Sequence, residues 1–182
     1  MSKLIVISGS SGVGKGTVIK LFLEKHPEFK LSVSCTTRAP REGEIDGINY
    51  FFLTKNEFKT CIDNNEFIEW AEFSGNYYGT KKEFIAKSVQ NGDNMILEID
   101  TKGALNVKKL IPESELIFIA PPSLEELESR LRGRHTETEE AIQKRLASIK
   151  LEIDNSKYFN HIIINDTIEH AVSELEKIIL HN

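Results

Sequence analysis

An α/β fold, a parallel sheet flanked by helices, is what this 182-residue sequence predicts. Three observations carry the prediction. Short apolar runs alternate with helical patterns, and a glycine-rich turn joins the first run to the first helix. Two blocks break that rhythm and read as inserts, one of small mixed β structure and one helical.

The elements follow in order. Leu4-Ile5-Val6-Ile7 is a continuous apolar run, as expected of a strand buried on both faces. A helix is predicted over about Lys15 to Lys25, stopped near Pro27. Met95-Ile96-Leu97-Glu98-Ile99, Leu116-Ile117-Phe118-Ile119 and Ile162-Ile163-Ile164 are further buried strands, each followed by a helical segment. Thr54…Glu57, Thr80…Glu83, Ser123…Glu126 and Thr136…Glu139 fit the capping box, in which hydroxyl and carboxylate satisfy orphan N–H groups at a helix start. Within residues 34–80, Tyr50-Phe51-Phe52-Leu53, the irregular stretch from Phe67 to Phe73, and the stretch around Asn76-Tyr77-Tyr78 read as short strands. Gly75-Asn76 is a turn. Residues 124–157 are charged and helical. The parallel core is then residues 1–33, 81–123 and 158–182.

Composition excludes several classes of function. The chain is 40% hydrophobic, enough for a substantial core, and its net charge is −5. Proteins that coat nucleic acid or anionic membranes are usually basic, so neither is expected as a partner. Cys35 and Cys61 are too few for a disulfide framework and lack metal-site spacing, which suits the cytoplasm. No apolar run is long enough for a signal-peptide core or a membrane span. The chain is expected as a monomer or homodimer.

The arginines carry a further clue. The 17 lysines are spread along the chain, but the 6 arginines fall in two windows: Arg38 and Arg41, then Arg130, Arg132, Arg134 and Arg145. A guanidinium grips phosphate through two parallel hydrogen bonds, so both windows read as phosphate-handling segments.

Between the first strand and first helix lies Gly9-Ser10-Ser11-Gly12-Val13-Gly14-Lys15-Gly16-Thr17. Gly9, four residues, Gly14 and Lys15 match the P-loop spacing. Glycines let successive N–H groups turn toward a phosphate, the helix N-terminus adds its positive end, and Lys15 reaches the β- and γ-phosphates. Gly16 follows the lysine where the pattern has a hydroxyl, which comes one place later at Thr17.

The rest of the chain narrows the reading. Ser34-Cys-Thr-Thr-Arg38-Ala-Pro-Arg41-Glu-Gly, then Tyr50, then Glu69-Trp-Ala-Glu-Phe-Ser-Gly-Asn-Tyr-Tyr78-Gly-Thr80 closely resemble the guanylate kinase family. So do Gly133-Arg134-His-Thr-Glu-Thr-Glu-Glu, Lys144-Arg145-Leu and Ile164-Asn165-Asp166. The resemblance runs in order over nearly the whole chain. It implies transfer of the ATP γ-phosphoryl group to GMP, and to dGMP, with Mg²⁺. It also implies a GMP-binding insert over residues 34–80 and a mobile lid over 124–157.

By this resemblance ATP is held by Gly9 to Thr17, Arg130, Arg134, Asn165 and Asp166, and GMP by Ser34, Arg38, Arg41, Tyr50, Glu69, Tyr78, Thr80 and Asp100. Lys15, Arg41, Arg134 and Arg145 form the catalytic set. Thr17 and Asp100 face the metal, directly or through water, with Glu98 beside them. Residue chemistry agrees. A carboxylate accepts from guanine N1–H and N2–H together, which makes Glu69 the guanine reader, and Ser34 and Thr80 can donate to O6 or N7. Adenine lacks the N1–H and would leave Glu69 unpaired. The alternative reading of Asp100, and of Asn165 with Asp166, is a cap on the following helix. Arginines in two separated windows suggest a lid that completes the site only when both nucleotides are bound. Two other functions stay open: another small monophosphate kinase, which would lack the Glu69 reader, and a non-catalytic interaction module, which would lack an intact P-loop.

Overall fold

The computed structural model describes residues 3–10, 12–73, 75–132 and 139–181. Five strands form an all-parallel sheet: β1 (Leu4–Gly9), β2 (Phe29–Leu31), β7 (Asn94–Glu98), β8 (Glu115–Ala120) and β9 (His161–Ile164). Their order is β2-β7-β1-β8-β9. The register runs Leu4 beside Met95 and Ile5 beside Glu115, so β1 is central and paired on both edges.

Alternation along each strand feeds two cores. Ile5, Ile7, Ile96, Ile117 and Ile119 pack on one face with Val18, Ile19 and Phe22 of α1 (Lys15–Lys25) and Ala171, Val172 and Leu175 of α7 (Ile168–His181). Leu4, Val6, Met95, Leu97, Leu116 and Phe118 pack on the other. There they meet Ile85 of α3 (Lys82–Gln90) and Ala104 and Val107 of α4 (Thr101–Leu110). Burial on both faces is why these strands read as continuous apolar runs.

A second sheet carries β3 (Cys35–Thr36), β4 (Phe51–Phe52), β5 (Phe67–Phe73) and β6 (Asn76–Lys81), in the order β4-β3-β6-β5. The pair β3–β4 is parallel, while β6 runs antiparallel to both β3 and β5. It is backed by α2 (Lys55–Asp63), whose Phe58 stacks on Phe67 with ring centroids 4.3 Å apart. A bulge between Phe67 and Glu69 explains why that stretch does not alternate cleanly in sequence. Helices α5 (Leu124–Arg132) and α6 (Glu139–Asn155) pack through Leu127 and Ile149. Arg132 ties them by bonding both Glu128 and Glu139.

Three expectations need correction. Strand β2 was not visible in the sequence pattern. Only Phe29 of its three residues is buried, and the strand sits at the sheet edge. The Thr54 capping box forms as read, with its hydroxyl accepting from Glu57 N and Glu57 accepting from Thr54 N. The Thr80 box does not form: Thr80 lies inside β6, Lys81 is the N-cap of α3, and the threonine side chain bonds Glu69 instead. The third correction is at the end of β7, which stops at Glu98 rather than Ile99, and the helix-cap alternative holds for Asp100. It caps α4, its Oδ1 accepting from Gly103 N at 2.7 Å. Thr136 lies outside the described residues, which resume at Glu139 in α6. Among the described residues, no helix is long and apolar enough to cross a membrane.

Candidate active site

The loop from β1 to α1 turns at the carboxyl edge of the sheet, where open parallel sheets bind ligands. Gly14 caps α1 with φ 88°, a left-handed conformation that a side chain would strain. The Val13 N–H donates to Ser10 O, and the Thr17 and Val18 N–H groups both donate to Gly14 O. This leaves a cavity of about 480 Å³ lined by Gly9, Ser10, residues 12–17 and Glu98. Ser11 lies outside the described residues. The Lys15 ammonium stands 3.9 Å from Glu98 Oε1, and Gly16 and Thr17 are exposed.

A second cavity, about 380 Å³, opens beside the first and shares Gly9, Lys15 and Glu98 with it. Its walls include Ser34 just before β3, Tyr50, Glu69 from β5, Tyr78 from β6, and Asp100, the cap of α4. Glu152 of α6 also reaches it.

Glu69 is 7% exposed, and the reason for its burial lies in the pairing of β5 with β6. Thr80 sits directly opposite it, and Thr80 Oγ1 donates to Glu69 Oε1 at 2.8 Å. Ser34 Oγ is 3.5 Å from the same hydroxyl. Burial pushes the Glu69 carboxyl up to about 7; Thr80's hydrogen bond opposes that rise, and Asp100's charge adds to it. The site thus holds a carboxyl poised near neutrality with an acceptor face toward the cavity.

Arg38, Tyr50 and Tyr78 form one polar group. The Arg38 guanidinium lies 5.5 Å from the Tyr50 ring centre, and the Tyr50 and Tyr78 rings meet edge-on at 6.3 Å. Burial, with help from the Glu98 charge, raises the Tyr50 hydroxyl above its ordinary value. Arg41 is exposed. Glu44 is the residue sequence reasoning missed. Its Oε1 accepts from Arg38 Nη2 at 2.8 Å and its Oε2 from the Arg41 backbone N–H at 2.7 Å. That bond to Arg38 holds the Glu44 carboxyl below its usual range. The available signal was an acid three residues after Arg41, just past the first arginine window.

Asn165 and Asp166 are engaged in the protein itself. Asn165 is 4% exposed and its Nδ2 donates to Val13 O at 2.6 Å. Asp166 Oδ1 accepts from Thr167 N at 2.6 Å and meets His170 Nδ1 at 2.7 Å, a turn and a first-turn partner for α7. Arg134 lies outside the described residues, and so do the side chains of Arg130 and Arg145 on α5 and α6. A third cavity, about 820 Å³, is mostly apolar and lies at the opposite edge of the sheet, against Leu4, Ile5 and Glu115. It gathers no catalytic chemistry.

Comparison with known proteins agrees with this geometry. A family model described as "Guanylate kinase" matches residues 1–182. A guanylate kinase of Synechococcus sp. (strain CC9311) is 53% identical over 172 residues, covering 94% of this chain and 90% of that protein. One from Caldanaerobacter subterraneus is 50% identical over 97% of this chain and 86% of its own length. The crystal structure of guanylate kinase from Anaplasma phagocytophilum superposes with a TM-score of 0.80 at 31% identity, covering 99% of this chain and 85% of that one.

Proposed function

The chain belongs to the guanylate kinase family, and from that premise we propose how its residues divide the work. The reaction is phosphorylation of GMP by ATP, giving GDP and ADP. One observation carries the residue assignment: the two cavities join at Lys15 and Glu98, and the second contains the buried Glu69 carboxyl.

ATP lies with its phosphates in the loop from Gly9 to Thr17. Lys15 spans the β- and γ-phosphates and leaves Glu98 to do so. GMP enters the second cavity with its base on Glu69, Thr80 and Ser34. Its phosphate meets Arg38, Arg41, Tyr50 and Tyr78. A GMP phosphate oxygen then attacks the γ-phosphorus as the bond to the bridging oxygen of ADP breaks. Little covalent work falls to the protein; alignment and charge neutralisation dominate. Arg130, Arg134 and Arg145 would add their charges when residues 124–157 close over the phosphates, excluding water from the transfer. dGMP is accepted as well, since every contact assigned here is to base or phosphate.

Mg²⁺ fits this donor set. Among the described residues no cluster of three or more metal-binding side chains exists, so these residues build no cage of their own. That is the pattern for an ion carried largely by substrate phosphates, with one or two protein oxygens assisting. Thr17 and Asp100, with Glu98, would hold it. When bound it neutralises charge on the β- and γ-phosphates. The two unpaired buried cysteines suit a reducing cytoplasm.

The direct test measures ADP release from ATP with GMP, dGMP, AMP, CMP and UMP in turn. GMP and dGMP should support turnover and the others should not. Equal rates with AMP would remove the guanine-reader assignment. Glu44 offers a narrower check. Glu44→Ala is expected to raise the KM for GMP about tenfold by freeing Arg38 and the 41–44 turn, with the KM for ATP within about twofold. An unchanged KM for GMP would take Glu44 out of the phosphate subsite.

A further inference from the structure

We propose that Gly103 is a positioning residue for guanine selection: its missing side chain lets α4 close on the Glu69 carboxylate and fix the orientation in which that carboxylate meets the purine. The inference rests on Glu69 being the guanine reader.

Gly103 lies in the first turn of α4, buried, three residues after the Asp100 cap. A Cβ at this position would stand 2.9 Å from Glu69 Oε2 and 3.3 Å from its Cδ and Cγ. The backbone there is ordinary helix, and Gly103 is absent from the positive-φ glycines, so backbone conformation does not demand glycine. Helix propensity favours alanine over glycine. Its N–H donates to Asp100 Oδ1, a bond that alanine would also make. What remains as a reason for glycine is the space taken by the Glu69 side chain.

That space completes a clamp. Thr80 Oγ1 holds Oε1 from one side, and the Gly103 backbone walls Oε2 on the other. Guanine needs both carboxylate oxygens in the plane of its N1–H and N2–H, so a rotated carboxylate forfeits the bidentate pairing. An added methyl would meet the far end of a flexible side chain rather than rigid backbone. The carboxylate would swing away while the helix stayed in place.

The experiment compares wild type, Gly103→Ala, Glu69→Asp, and Glu69→Asp with Gly103→Ala, by steady-state kinetics and thermal melts. Gly103→Ala should raise the KM for GMP about tenfold, leave the KM for ATP within about twofold, and narrow the preference for GMP over AMP. Its melting temperature should equal or exceed that of wild type. In the Glu69→Asp background, where the carboxylate is one methylene shorter, the same alanine should change the KM for GMP by less than about twofold. Wild-type KM and selectivity in Gly103→Ala would overturn the inference. So would an equal loss in both backgrounds, which would mark a general effect on the helix. Glu69→Gln in the same assay keeps the two claims apart. If it retains wild-type selectivity, the reader assignment fails; if it loses selectivity while Gly103→Ala does not, only the role of Gly103 fails.

Discussion

Lys15→Met should lose about 10²–10³ in kcat while its affinity for GMP stays close to wild type. Lys15 is the cation shared by both cavities, and its ammonium lies 3.9 Å from Glu98 Oε1. In the mechanism proposed above it faces the charge that accumulates on the β- and γ-phosphates, a contact that strengthens as the phosphoryl group moves. Methionine keeps the length and apolar stem of lysine but removes that charge. Glu98 remains partly exposed and can be solvated, so the fold should be spared. Rapid-quench measurement of a single turnover, with GMP binding followed by calorimetry, separates chemistry from binding. A variant that binds GMP tenfold more weakly, yet transfers phosphoryl at the wild-type rate once saturated, would move Lys15 from the donor to the acceptor side.

Glu69→Gln should weaken GMP by about 1–3 kcal/mol, roughly ten- to a hundredfold in kcat/KM, and shrink its advantage over AMP. The amide presents a donor where the guanine edge also donates. The same change should alter stability in the opposite direction. Burial lifts the folded carboxyl to about 7 from its ordinary 4.5, so between those pH values the folded chain binds more protons than the unfolded one. Stability from this group is fully present below 4.5 and lost as pH rises through 7. Glutamine has no such loss. The variant should match wild type near pH 4.5 and exceed it above pH 7, by at most about 3 kcal/mol. Denaturant titrations across that range check the sign. GMP pairs with the charged form, so wild-type kcat/KM for GMP should fall about tenfold per pH unit below 7. A flat profile would mean that the carboxyl is already ionised in the empty site.

The parts of the fold visible in sequence were those where one physical demand dominates. Strands buried on both faces must be apolar at every position, and β1 and β8 announce themselves that way. Strand β2 offers three residues with one buried, too little pattern to distinguish from a loop. Thr80…Glu83 has the spacing of a helix cap, but the threonine is the cross-strand partner of Glu69, a fact that lives in the register of two strands. The phosphate loop was legible because its chemistry is local, nine consecutive residues between strand and helix. The place of Glu69 in the second cavity was legible through resemblance and hydrogen-bond matching. Glu44 and Gly103 were not, because each acts through a neighbour. Asn165 is expected among the ATP-binding residues by resemblance; its Nδ2 donates to Val13 O, a pairing no spacing rule reveals.

That pairing joins residues 152 positions apart. The ribosome releases the donor loop early, but its brace arrives only with the turn after β9. A partly synthesised copy therefore carries the glycine loop without the amide that steadies it. The loop gains that bond only once the last strand of the parallel sheet has docked beside β8.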